Sequence, residues 1–208
     1  MIIGGRRGSA KMATSKRAAQ SDRIVDAALE LADERGWADV RLHQIAERAG
    51  LSLAEVRSQF RDQDAVANAW FARALTALVA APPDDLADRR PPERLHAVIM
   101  RWFDALAPHR ATTAQMLQAK LYVSHPHHWV PLIFELSRLI HWFLDAARIA
   151  STGRARQLAE VGLTAIFLAT LRIWLRDDST DCERTRRYLR RRLAAADRWL
   201  NRLASPPP

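Results

Sequence analysis

Residues 23–71 read RIVDAALELADERGWADVRLHQIAERAGLSLAEVRSQFRDQDAVANAWF, which parses as three short helices and the start of a fourth. The first opens after Ser21, a capping residue type. It carries Ile24, Ala27, Ala28, Leu31 and Ala32 on one stripe at three-and-four spacing, and Gly36 ends it. A second helix, Arg41 to Ala49, turns Leu42, Ile45, Ala46 and Ala49 inward, and Gly50 supplies the left-handed residue that reverses the chain. Ser52 and Glu55 stand at capping-box spacing at the head of the third helix, whose inner side is Val56 and Phe60. Two helices joined by a tight glycine turn, the second short and capped, have the geometry that seats a recognition helix in a major groove.

Three runs of this stretch, IVDAALELADERG at 24–36, IAERAGLS at 45–52, and Phe60 with the loop and helix after it, resemble the N-terminal DNA-binding domain of the TetR family of transcription regulators. The resemblance spans about a third of the chain. It implies that Arg41, Ser52, Leu53, Arg57, Ser58 and Gln59 face double-stranded DNA. The family often has lysine, glycine, threonine or serine, tyrosine and histidine where this chain has Leu53, Ala54, Glu55, Arg57 and Gln59. Arg57 replaces a phosphate-touching tyrosine with a charge, and Gln59 or Ser58 offers a base-edge contact. Glu55 is repelled by phosphate unless the capping box occupies it or a cytosine amino group donates to it.

The expected fold is all-α, a three-helix helix-turn-helix unit followed by a helical bundle. Three segments are expected: 1–20 as a flexible basic arm, 21–80 as the DNA-binding unit and 81–208 as the ligand-binding and dimerisation unit. The linker is read at Pro82 to Pro92, where prolines and mixed charge break helical periodicity. Helices are expected near Glu93–Leu106, Arg110–Val123, Pro131–Ile149, Arg154–Leu175 and Cys182–Leu203. The formal charge is +9, but residues 1–80 carry 12 basic against 10 acidic side chains and the remainder 20 against 13. The surplus lies mostly outside the helix-turn-helix, so net charge says little about nucleic acid.

The C-terminal part is rich in aromatic and sulfur side chains. Trp102, Phe103, Met116, Trp129, Phe134, Trp142, Phe167 and Trp174 are together candidates to line an apolar small-molecule pocket between helices, although for any one of them a place in a plain hydrophobic core is the commoner role. In the last two helices, Leu158, Gly162, Ala165 and Ala169 form a stripe with small residues, and Leu189, Leu193 and Leu200 recur at helical spacing. These stripes either close the monomer's own core or, as the TetR resemblance implies, build a two-fold homodimer interface.

A second resemblance runs from Ile140 to Trp199, through Trp142, LRDDSTD at 175–181, Thr185 and Leu189 to Leu193. It is similar to the C-terminal domain of the TetR-like lipid-binding proteins that assist ubiquinone biosynthesis. That likeness implies an alternative: an isoprenoid-lipid accessory protein that does not read DNA and touches a membrane surface through its arginine-rich terminal helix.

No enzyme, metal or cofactor is expected. His125, His127 and His128 lack the helical i, i+4 spacing of a metal pair, and no phosphate loop or nucleophile elbow occurs. A single cysteine, Cys182, excludes an internal disulfide. The longest strongly apolar run, Val161–Leu171, is too short to span a bilayer, so a cytoplasmic location is expected. Together with the TetR resemblance, these readings lead to a dimeric, ligand-responsive DNA-binding regulator of repressor type.

Overall fold

The computed structural model describes residues 5–80, 86–120, 126–150 and 153–204, and side chains within 15–80, 86–120, 134–150 and 153–200 with the exception of 155. The described residues contain helices and no strand. In chain order the helices are α1 (Gly5–Arg35), α2 (Leu42–Ala49), α3 (Leu53–Gln59), α4 (Gln63–Val79), α5 (Pro91–Leu106), α6 (Arg110–Lys120), α7 (Pro126–Ala146), α8 (Gly153–Trp174) and α9 (Glu183–Ala204).

Two of these boundaries differ from the sequence reading for clear physical reasons. The first helix starts at Gly5, so Ser21 sits inside it and caps nothing, and most of the stretch expected as an arm continues α1. Residues 9–20, SAKMATSKRAAQ, contain neither proline nor glycine and are rich in alanine, which propagates a helix already nucleated downstream. Likewise α5 begins at Pro91, inside the expected linker, because proline at the first helical position has its φ preset and loses no hydrogen bond.

The chain divides into two compact units. One comprises the residues up to Ala72 together with Ala111–Ala119, and the other Arg73–Arg110 with the residues from Lys120 onward. In the first unit, α1 packs on α2, and α2 on α3. Its core is made by Ile24, Ala28, Leu31, Val40, Ile45, Val56 and Phe60, all buried. The inserted α6 segment is tied in by polar contacts. Gln115 Oε1 accepts from the Trp37 amide at 2.6 Å, Thr112 Oγ1 donates to Asp33 at 2.6 Å, and Trp70 Nε1 donates to Thr113 Oγ1 at 2.9 Å.

The second unit is built from α5, α7, α8 and α9, with α9 packed on both α8 and α5. Its centre is an aromatic cluster. Trp102 meets Phe103 and Phe167 edge-on at centroid separations of 5.3 and 5.4 Å, Phe103 stacks on Phe167 at 5.7 Å and lies 5.3 Å from Trp174, and Phe143 lies 5.4 Å from Phe167. Pairs in these arrangements contribute roughly 0.5–1.5 kcal/mol each beyond simple burial. The turn between α8 and α9 is held by Asp177. Its carboxylate accepts from the Ser179 amide and hydroxyl at 3.0 and 2.5 Å, and from the Thr185 amide and hydroxyl at 2.8 and 2.5 Å.

Among the described residues one helical segment, Arg156–Trp174, is long and apolar enough to cross a membrane by length and composition. It exceeds the run Val161–Leu171 because the helix continues through Leu158 and Trp174 on either side. Most of this segment is not buried within the chain. The His125 position lies outside the described residues, as do the side chains of His127, His128 and Trp129.

Candidate nucleic-acid interface

The turn between α2 and α3 is set by local chemistry. Gly50 takes φ 63° and ψ 40°, and around it the amides of Gly50 and Leu51 return to the carbonyls of Glu47 and Ala46 at 3.1 and 2.9 Å. A side-chain-bearing residue in that left-handed position is disfavoured, which is why glycine stands there. Ser52 caps α3 with both halves of the capping box present. Its hydroxyl accepts from the Glu55 amide at 3.2 Å, and the Glu55 carboxylate accepts from the Ser52 amide at 2.8 Å. The Ser52 amide and hydroxyl hold the Glu55 carboxyl below the ordinary carboxylate range, with help from Gln20 and the nearby Lys16 charge. Glu55 is thereby occupied by its own helix end and held ionised there.

Val56 and Phe60 anchor α3 from below, and Ser52, Leu53, Ala54, Arg57 and Ser58 face outward. Leu53 is 51% exposed and stands one turn before Arg57, so the outer surface offers an apolar contact beside a cation. Among the described residues the Arg57 guanidinium has no hydrogen-bond or ion-pair partner, whereas the other candidates are more committed. Ser58 Oγ donates to the Glu55 carbonyl at 2.7 Å. Gln59 is half-buried and donates to Gln20 Oε1 at 3.1 Å, tying α3 to α1. Arg41, the residue ahead of α2, folds its guanidinium onto the Ala38 and Val40 carbonyls at 2.6 and 3.0 Å.

Sequence reading missed the part played by the N-terminal extension of α1. Arg17 donates to the Ser58 carbonyl at 3.2 Å and Gln20 to Glu55 at 3.3 Å, so α1 braces the outer helix and brings cations beside it. The alanine-rich composition of residues 9–20 was the available signal. Arg48 does not join this surface. It pairs with Glu30 and Glu34 at 3.3 and 2.8 Å, locking α2 to α1.

With this geometry in view, likeness to known proteins is informative. The profile of bacterial regulatory proteins of the tetR family matches residues 24–69. A solved TetR transcriptional regulator from Nitrosomonas europaea is 38% identical, covering 85% of this chain and 97% of that one, with a TM-score of 0.76. The chain belongs to the TetR family of transcriptional regulators. It is accordingly a helix-turn-helix DNA-binding protein and not an enzyme. An uncharacterised HTH-type regulator from the dhlA 5' region of Xanthobacter autotrophicus is 36% identical over 72 residues, and the chain spans only 36% of that relative's length. A TetR regulator from Rhodococcus sp. RHA1, 20% identical over 85% of this chain and 96% of that one, shares the fold with a TM-score of 0.60.

A second profile, COQ9, matches residues 160–199. Asp177 and Thr185, two of the residues within that stretch, are the pair that fastens α9 to the end of α8.

The residues proposed for a ligand, apart from Trp129 whose side chain lies outside those described, separate into three groups. Trp102, Phe103, Phe167 and Trp174 come together with Phe143 in the buried cluster and pack against one another. Met116 is buried, but in the N-terminal unit, and so is no part of that cluster. Phe134 and Trp142 are 61% and 48% exposed and stand outside that buried cluster. The candidate dimer residues also divide. Leu158, Gly162 and Ala165 are exposed on α8, Ala169 is half-buried and Leu200 is exposed. Leu189 and Leu193 are instead buried in the monomer's own core, at the side of α9 that meets α5 and α8.

Proposed function

We propose that this regulator works as a homodimeric, ligand-responsive repressor that grips double-stranded DNA through α3. The observation carrying this reading is the outward face of α8. Leu158, Val161 and Leu168 are 55%, 71% and 46% exposed, and between them Gly162 and Ala165 have no bulk to prevent close approach. A helix with this face leaves apolar surface in water unless a second copy covers it. The exposed Trp199 and Leu200 near the end of α9 extend the apolar surface available. Two-fold pairing there presents two copies of α3, as a palindromic operator requires. The same need explains why Arg156–Trp174 has membrane-like composition in a protein that acts in the cytoplasm.

In functional terms the reader is 21–80, supplemented by the α6 segment, and 81–208 senses ligand and dimerises. The residues up to 20 supply cationic reinforcement to the reader. The ligand is an apolar small molecule admitted by opening the aromatic cluster. Trp174 Nε1 lies buried there without a hydrogen-bond partner among the described residues, and a ligand oxygen placed against it removes a standing cost. Ligand binding acts on DNA affinity only to the extent that it favours one separation of the two readers over the other.

The test is selection of genomic fragments bound by the purified protein, run beside sedimentation. A dimer enriching a palindrome with half-sites about 10 base pairs apart, or a multiple of that, is expected. A monomer at micromolar concentration refutes the dimer, and the absence of any enriched sequence refutes the repressor.

A further inference from the structure

A cleft of about 640 Å³ opens where the first turn of α5 faces the C-terminal half of α9. Its walls come from both helices. Arg89, Arg90 and His96 stand on the α5 side, and Arg190 and Arg198 on the α9 side. Positions 190, 194, 197 and 198 fall on one face of α9, which aims that face at α5. Pro92 and Ala194 also line it, and neither has a long side chain to fill the space.

The charge balance of this space is lopsided. Four guanidiniums meet two carboxylates, those of Glu93 and Asp197. Glu93 is engaged by Arg90 at 2.5 Å and completes the α5 cap by accepting from the Arg90 amide at 3.2 Å. Arg190 and Arg198 are exposed and have no ion pair among the described residues. His96 contributes no charge near neutrality. Burial, reinforced by Arg190 and Arg186, pushes its pKa below the ordinary value despite the hydrogen bond to the Arg186 carbonyl at 3.0 Å. Two positive charges are thus left over, held in a concave site whose walls are fixed by two packed helices. The two helices pack on one another, and Val98 and Ile99 of α5 and Leu189 and Leu193 of α9 are buried, so the walls cannot move apart freely to disperse the charge.

We propose that this cleft binds a phosphate group, as a phosphate ester or a pyrophosphate, and is a second ligand site separate from the aromatic cluster. A phosphate dianion matches the surplus of two, while a single carboxylate leaves one charge uncompensated. Guanidinium forks suit phosphate oxygens through paired N–H···O bonds, and arginines on both walls allow contacts from both sides. The group comes either from a free phosphorylated metabolite or from the phosphomonoester headgroup of phosphatidic acid. Both use the same arginines.

The test titrates inorganic pyrophosphate and inorganic phosphate into the full-length protein at constant ionic strength, followed by calorimetry. A parallel arm uses phosphatidylcholine vesicles containing phosphatidic acid, a phosphomonoester, against pure phosphatidylcholine vesicles. Saturable binding of a free anion, or of the anionic vesicles alone, is expected, and which arm responds identifies the source. The response should weaken roughly tenfold or more in Arg190→Gln/Arg198→Gln, two exposed positions whose change spares the core. Ala194→Glu, which places a carboxylate in the open space, should weaken it similarly. Arg57→Ala should leave it unchanged, separating this site from the DNA-reading helix. Binding that survives both cleft variants, or vanishes with Arg57→Ala, overturns the proposal, as does the absence of saturable binding in every arm.

Discussion

Asp177→Asn tests the device that sets α8 against α9. Burial alone raises the Asp177 pKa, but the donors of Ser179 and Thr185 outweigh it and hold the group at about 2, against 3.8 for the free side chain. A difference of that size corresponds to about 2 kcal/mol of folding stability at neutral pH. Because the folded value is depressed, this contribution is complete above pH 4 or so and declines as pH falls through the folded value. Roughly 1 kcal/mol is gone by pH 3 and most of the rest by pH 2. Asparagine keeps one acceptor and turns an N–H₂ toward groups that themselves donate, leaving buried donors of Ser179 or Thr185 without a partner. The variant should therefore lose about 2–3 kcal/mol at pH 7. Its deficit relative to the unmodified protein should shrink on acidification. Urea unfolding of both proteins between pH 7 and pH 3, followed by circular dichroism, gives the comparison. A deficit that stays constant across that range refutes the electrostatic reasoning and leaves only a packing effect.

Four further outcomes are expected. Arg57→Ala should weaken DNA binding on every sequence alike and lower the salt slope of binding by about one, measured by fluorescence anisotropy; an unchanged slope removes Arg57 from the phosphate contacts. Ala165→Arg should leave the fold intact, since the position is exposed, yet give a monomer in sedimentation, while Leu189→Ala should cost about 2–5 kcal/mol of stability because that side chain is fully buried. Gly50→Ala forces a side chain into φ 63° and should cost about 1–2 kcal/mol in thermal unfolding, although the new Cβ would meet only Arg23 Nη2 at an ordinary 3.5 Å.

What the sequence disclosed about this chain depended on how local the determining interaction is. The capping box of Ser52 and Glu55 joins residues three apart, and the turn at Gly50 is decided by one residue's freedom, so both were readable. The helical nature of α8 was readable for the same reason. Its division of labour required more. On α8 the side chains of Leu163, Phe167, Thr170 and Trp174 recur every three or four residues and are buried, while Leu158, Val161, Ala165 and Leu168 recur at the same spacing and are not buried as a set. Each stripe is amphipathic by itself, and periodicity ranks neither above the other. The outer stripe was recognised because it carries the small residues. On α9, Leu189 and Leu193 followed the same rule as Leu200 yet went to the core, because α9 packs on both α5 and α8, an arrangement no spacing on α9 encodes. The arginine cleft was hidden for that reason too. Its two walls are separated by about a hundred residues, and each by itself reads as an ordinary solvated helix face. Only the pairing of α5 with α9 turns four scattered guanidiniums into one concave cationic surface, so chemistry assembled by tertiary contact is the part of this protein that had to come from its fold.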